Sequence, residues 1–430
     1  MAINNCNFVF TVRNSRKQKL YSYYYINIKM ERTEIYNGKI ITPYRIIEKG
    51  SILIEDGKIK QVREGNAETK NAVRINAHNF YVSPGFIDIH THGAGGYDYL
   101  DGTAEAMLGA SRMQAVHGVT SVVPTASATS YEELLILFDN YREAKQKNTT
   151  GAQFLGIHLE GPYFSMKRKG AQDQKYIINP KKEEYKKILD QTDDIIRWSA
   201  APELDGALEF GRYVSSRGIL PSIAHSDATY DEVVLALENG YTHVTHLYNA
   251  MSGITRKNCY RYGGVIESAF LLDPLTVEII ADGSHLPPCL LKLAYKIKGP
   301  SRVALITDSM RGAGMGSGES IVGSLKHGLK VIIEDGVAKL PDRSVFASSV
   351  ATADLLVRNM VEMAGVPLAD AVQMMTSTPA RISGFLQQKG TITEGKDADI
   401  VIFDDRINIK TTIIKGRKVW NTINESDINR

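Results

Sequence analysis

Two histidines stand two residues apart at the end of a short apolar run, in "GFIDIHTHGAGG" at 85–96. On an extended segment His90 and His92 send their side chains to the same side. Residues of ligating type recur at the ends of later apolar runs: Glu160 closes "QFLGIHLE", His225 closes "GILPSIAH", His246 falls in "THVTHLY" and Asp308 closes "RVALITD". Imidazoles and carboxylates converging from several strand ends suit a borderline divalent metal, zinc or iron, with one or two ions per chain. Such an ion brings the pKa of bound water to about 7. Hydrolysis then needs a group that takes a proton from the attacking water and hands it to the leaving group. Asp308, facing inward at the end of the last strand, suits that work. The other histidines carry weaker signals. His117 reads as the last turn of a helix before a glycine stop. His158 shares the strand face of Glu160, and His243 lies on the opposite face from His246. His78 and His327 are assigned no chemistry.

The elements that must position these groups follow a regular rhythm. Short apolar strands are expected at 85–90, 119–125, 153–160, 195–203, 218–225, 242–248, 275–282 and 302–308, with helices between most of them, such as 131–147 and 231–240. Eight strands with crossovers specify an α/β chain built as a (β/α)8 TIM-like barrel, whose active face lies at the C-terminal strand ends. A doubly wound sheet would carry a G-x-G-x-x-G turn after its first strand, and that turn is absent. The glycine-rich "RGAGMGSG" at 311–318 follows the eighth strand instead, where a barrel places an active-site loop.

Outside the barrel the texture is β throughout. "EIYNGKII", "GSILIEDGKIKQV" and, at the far end, "ADIVIFDDRINIKTTIIKGRKVW" are rich in β-branched residues, with NG and DG as hairpin signals. The two ends are expected to build one small β-sandwich domain, from 30–82 and 387–430, around a barrel at 83–386 with a β insertion near 320–345. Residues 1–29 form a basic, tyrosine-rich extension without the order of a signal peptide. Composition narrows the function. The apolar fraction is 43%, and 51 basic against 48 acidic residues give a net charge of +3. That balance gives no reason to expect nucleic acid or a membrane surface as partner. No run of about 18 apolar residues is present to span a bilayer. Three scattered cysteines, Cys6, Cys259 and Cys289, fit the cytoplasm better than a disulfide framework.

The stretches "PGFIDIHTHG", "HLEGP" with "KRKGAQ", "AHSDA", "THLYNAM", "IADGSHLPP" and "ITDSM" occur in that order at barrel-strand spacing. Together they resemble the N-acetylglucosamine-6-phosphate deacetylases of the amidohydrolase superfamily, over about 31–425. The resemblance implies Glu160, His225 and His246 as the main metal ligands, with Asp308 as catalytic acid/base. It also implies a second metal position at His90, His92 and Asp308, with Glu160 bridging. Asn249, Ala250 and His285 match contacts to the phosphosugar substrate, and Ala171, Phe346 and Ala347 complete the substrate-binding set. Gln172 stands where other members carry a histidine that polarises the acetyl carbonyl; an amide N–H also donates. For the phosphate arginine, anchoring on the glycines after "ITRKNCYRYGG" selects Arg261, whereas counting from "NAM" favours Arg256 or Lys257. In the family that arginine often reaches the neighbouring subunit, which implies a homodimer. Alternatives are the galactosamine epimer as substrate, another amidohydrolase such as a cyclic amidase or deacylase, or a non-catalytic sugar-phosphate sensor.

Overall fold

The computed structural model describes residues 32–66 and 68–423, so the extension at 1–29 lies outside the described residues. Eight short parallel strands make the central sheet: β1 (Phe86–Thr91), β2 (Val119–Ala126), β3 (Ile157–Glu160), β4 (Ile195–Ala200), β5 (Leu220–Ile223), β6 (His243–Val244), β7 (Thr276–Ile279) and β8 (Val303–Leu305). They pair in sequence order, each parallel to the next. Helices at Ala104–Val116, Tyr131–Lys147, Lys182–Leu189, Ala207–Ser216, Tyr230–Glu238, Val265–Leu271 and Pro288–Lys298 supply the seven crossovers between these strands. Among the described residues no ladder joins β8 to β1. Single hydrogen bonds bridge that seam: Asp308 N donates to the His90 carbonyl at 2.9 Å, His92 N to that of Ser309 at 2.8 Å, and the Thr307 hydroxyl to the Asp88 carboxylate at 2.5 Å. The result is a nearly closed parallel barrel.

The helices form for local reasons that also fix their facing. Tyr131–Lys147 starts at Ser130, whose hydroxyl accepts from Glu133 N, carries Glu132 and Glu133 in its first turn, and has Lys145 and Lys147 in its last. Its buried residues, Leu134, Leu137, Phe138, Tyr141 and Ala144, recur at helical spacing and face the barrel wall. At the start of Tyr230–Glu238 the Glu232 carboxylate reaches back to the cap, accepting from Thr229 N at 2.7 Å and from the Thr229 hydroxyl at 2.8 Å. Trp198 on β4 anchors the layer between wall and helices. It is fully buried, stacks on Tyr163, meets Phe210 edge-on, and donates its indole N–H to the Gly161 carbonyl at 2.7 Å.

The chain ends share a single eight-stranded sheet. Arg32–Ile41 pairs antiparallel with Ile46–Glu55 and parallel with Tyr81–Pro84, and Ile400–Phe403 joins Tyr81–Pro84 from the other end of the chain, Ile400 opposite Pro84. Ile35, Ile52, Val82, Ile400 and Ile413 form its own core. A second, four-stranded antiparallel sheet follows β8: Gly318–Val322, Leu329–Glu334, Val337–Lys339 and Phe346–Ser349. It lies at the mouth of the barrel, at the C-terminal strand ends. No described helix is long and apolar enough to cross a membrane.

Candidate metal centre and active site

The barrel brings the six candidate ligands to one place. His90 lies within β1 and His92 directly after it, and Glu160 is the last residue of β3. His225 and His246 each follow their strands, β5 and β6, by two positions, and Asp308 follows β8 by three. His225, His246 and Asp308 all adopt positive φ, 46°, 28° and 45°. A left-handed conformation at a residue with a β-carbon costs about 1–3 kcal/mol and persists only where the surroundings over-determine it. Here it turns each side chain off its strand and over the barrel axis.

Glu160 sits at the centre. Its Oε1 lies 3.0 Å from His246 Nε2, 3.3 Å from His225 Nε2 and 3.6 Å from His90 Nε2; its Oε2 lies 3.3 Å from His92 Nε2. Asp308 Oδ1 lies 3.2 Å from His92 Nε2 and 3.4 Å from His90 Nε2. Two donor sets therefore share one carboxylate: His90, His92 and Glu160, and Glu160, His225 and His246.

The far side of each ring decides what these contacts mean. His225 Nδ1 lies 2.8 Å from the Arg168 carbonyl, which only accepts, so Nδ1 carries the proton. In the neutral ring Nε2 then presents a lone pair to a carboxylate oxygen that also offers only lone pairs. His90 repeats the arrangement, with Nδ1 3.3 Å from Glu278 Oε2. Its buried Nε2 has no hydrogen-bond partner, nor has His246 Nδ1. Lone pairs facing lone pairs need a cation between them, either protons or a metal. Protons serve in the ion-free protein. Burial opposes charge on His90, yet Asp308 and Glu160 together pull it up to about 9. Burial likewise works against His92, and the same two carboxylates raise it well above the usual imidazole range. Burial raises Glu160, but the ring of imidazoles, led by His90, holds it well below the usual carboxylate range. The donor chemistry fits one or two divalent ions.

Above this cluster opens a cavity of about 440 Å³, within the range of about 300–1,000 Å³ usual for small-molecule sites. Ala171, Gln172, Asn249, Ala250, His285, Phe346 and Ala347 all line it, with Asp308, Glu160, His92, His225 and His246 at its floor. Gln172 Nε2 donates to Glu160 Oε2 at 3.0 Å while its Oε1 accepts from Ala128 N at 3.0 Å, which fixes the amide's orientation. His285 Nδ1 lies 2.7 Å from Asp282 Oδ2, and its ring packs on Phe346. Arg261 does not line the cavity. It stands opposite Arg256 on an exposed hairpin, Thr255–Lys257 with Tyr260–Tyr262, and Lys257 is exposed there too.

Other residues went unrecognised in the sequence. His327, on the loop between the first two strands of the inserted sheet, lines the cavity, as do Arg168 and Ser127. The Ser127 hydroxyl lies 3.2 Å from His92 Nδ1. Beneath the floor, His158 meets the His90 ring edge-on at 4.7 Å, and its two nitrogens contact Thr125 and Ser199 hydroxyls. His243 Nε2 lies 3.2 Å from the buried Glu278. His117 caps its helix and pairs with Asp354 at 3.0 Å.

Comparison with known proteins gives consistent matches. A sequence model of the amidohydrolase family matches residues 81–419. The N-acetylglucosamine-6-phosphate deacetylase of Bacillus subtilis is 34% identical over 382 residues, covering 88% of this chain and 94% of the relative. Among solved structures, a mutant N-acetyl-D-glucosamine-6-phosphate deacetylase from Mycobacterium smegmatis, in complex with N-acetyl-D-glucosamine-6-phosphate, superposes with a TM-score of 0.83 at 28% identity. It covers 91% of this chain and 100% of that one. The corresponding Pasteurella multocida structure gives 0.84 at 26% identity, covering 90% and 99%.

Proposed function

The chain belongs to the amidohydrolase family and, within it, to the N-acetylglucosamine-6-phosphate deacetylases, and on that premise we propose how its residues carry out the reaction. It is a metal-dependent hydrolase that releases acetate and glucosamine 6-phosphate from N-acetylglucosamine 6-phosphate. The observation that carries the mechanism is the convergence of four imidazole Nε2 atoms on the Glu160 and Asp308 carboxylates, with the far nitrogens of His225 and His90 each held by an acceptor.

When bound, a divalent ion polarises the acetamide carbonyl and makes hydroxide available at neutral pH. Glu160, His225 and His246 would hold one ion, and His90, His92 and Asp308 a second, with Glu160 shared between them. Zinc and iron both suit imidazole and carboxylate donors. Asp308 takes the proton from the attacking water and returns it to the departing amine. Gln172 keeps one amide hydrogen on Glu160 and has a second to give to the developing oxyanion. Asn249, Ala250, His285, Ala171, Phe346 and Ala347 hold the sugar. Arg261 suits the 6-phosphate of a neighbouring subunit in a homodimer, because a planar guanidinium binds phosphate bidentately and its exposed hairpin leaves it free to reach outward. The finer architecture in keeping with this reading is a (β/α)8 barrel with a small sandwich from both chain ends, working in the cytoplasm.

Acetate release tests the reading, with N-acetylglucosamine 6-phosphate, its galactosamine epimer and unphosphorylated N-acetylglucosamine compared side by side. The glucosamine phosphate should give the highest kcat/KM. Equal turnover of the unphosphorylated sugar would sink the phosphosugar assignment, and faster turnover of the epimer would replace it. Metal analysis after reconstitution should return two ions per chain; full activity at one would sink the second position.

A further inference from the structure

A second buried carboxylate with several polar partners lies one layer below the site. Glu278 on β7 is completely buried. Its carboxylate pairs with both terminal nitrogens of Arg197 on β4, NH2 at 2.9 Å, and meets His243 Nε2 of β6 at 3.2 Å. It also accepts from His246 N at 3.4 Å and lies 3.3 Å from His90 Nδ1. Arg197 is satisfied in turn: Nε by the Ser222 hydroxyl at 3.0 Å, NH2 by the Thr245 hydroxyl at 2.8 Å, and NH1 by the Ile89 carbonyl at 3.3 Å. The Glu278–Arg197 pair therefore ties β1, β4, β5, β6 and β7 together on the barrel axis.

The four site imidazoles differ in what holds their outer nitrogen. His225 has a backbone carbonyl, His92 the Ser127 hydroxyl, and His246 Nδ1 no partner at all. Only His90 faces an anion. A carboxylate behind a metal-binding imidazole fixes the tautomer and ring direction and raises ligand basicity, and its loss costs about 10–100-fold in metal affinity.

We propose that Glu278, held in place by Arg197, is a positioning residue for the ion at His90, His92 and Asp308, and that it sets the affinity of that position separately from the one at Glu160, His225 and His246. The inference rests on the two-ion reading above. Glu278 directs the Nδ1 proton of His90 downward, which leaves Nε2 as a lone-pair donor toward Asp308 and Glu160. It does this without touching the substrate cavity, whose lining does not include it.

The experiment is a zinc titration of the metal-free protein by calorimetry, with metal content measured after dialysis. The unmodified chain should bind two ions. Glu278→Gln should bind the first with unchanged affinity and the second about 10–100-fold more weakly, and the difference should vanish when His90 is already replaced by Ala. A role in folding alone would weaken both steps together or lower Tm with binding intact, and either result overturns the proposal. Because Glu278→Gln leaves the Arg197 charge buried without its partner, Arg197→Met with Glu278→Gln serves as the second variant and should show the same selective loss. Nitrogen-15 spectra of histidine-labelled, zinc-loaded unmodified protein need no variant: His90 must carry its proton on Nδ1, and a proton on Nε2 overturns the assignment. One ion in the unmodified chain would overturn the two-ion reading and this inference with it. Two ions bound equally well by the unmodified protein and Glu278→Gln would overturn this inference alone.

Discussion

Replacing Asp308 with Asn is the most informative single change, because the structure separates its chemistry from its structural contacts. Asp308 holds its backbone at φ 45°, a conformation Asn also visits readily. Its main-chain bonds, N to the His90 carbonyl and O accepting from Ser348 Oγ and Ser349 N, do not depend on the side chain. The fold should therefore survive, and the loss should report on the carboxylate. A positioned proton-transfer group contributes about 10²–10⁴-fold, or about 2.7–5.4 kcal/mol of barrier at 1.36 kcal/mol per tenfold. The other carboxylates of the cavity cannot take over. Glu160 is surrounded by four imidazoles and Gln172, Glu133 is engaged by Thr129 and Ser324, and Asp173 pairs with Lys175. The upper half of the range applies, so kcat should fall by about 10³–10⁴-fold. Because the interaction is made in the transition state, kcat and kcat/KM should fall together. The assay is acetate release at saturating phosphosugar, with metal content and circular dichroism measured on the same sample. Turnover within tenfold of the unmodified enzyme, with metal still bound, would refute the reasoning.

Metal-free protein should lose stability between about pH 6.5 and 9. His90, raised to about 9 in the fold, stabilises fully below its unfolded value of about 6.5 and progressively less above it. The gain in Tm on adding zinc should widen over the same interval, and thermal scans across pH would show a flat difference if the carboxylates do not hold that proton. A β-carbon on Gly93 would run into the Tyr97 carbonyl and backbone, so Gly93→Ala should displace the loop after His92 and weaken the second ion, read by metal analysis after dialysis. Trp198→Ala should cost about 3–5 kcal/mol, because it empties the space against Tyr163 and Phe210 and orphans the Gly161 carbonyl; urea unfolding that shows under 1 kcal/mol would contradict that packing.

Much of this architecture was legible because barrel strands are short, apolar and end in polar residues of one chemical kind. The helix at 131–147 was readable to its ends, since Ser130 and the lysines of the last turn mark both. Strand ends near the site were not. The stretch 242–248 holds only two strand residues, because His246, Tyr248 and Ala250 all turn to positive φ to present the site. The stretch 153–160 breaks into Gln153–Phe154 and Ile157–Glu160. That the candidate ligands would meet was readable from position, but what lies behind them was not: Glu278, Arg197 and Ser127 touch them or one another across the barrel, which no spacing records. His327 joined the cavity only because the inserted sheet folds back over the mouth, and Arg261, for the opposite reason, stayed outside.

The bridge between β8 and β1 has a further meaning on the ribosome. Thr91 and Ser309, whose hydroxyls meet at 3.1 Å on that seam, are 218 residues apart. At about 5–20 residues per second, some 10–40 s separate the synthesis of the two histidines from that of the aspartate they face. Throughout that interval the nascent chain carries its imidazoles without their final carboxylate, and the whole centre matures only when the last strand emerges and docks.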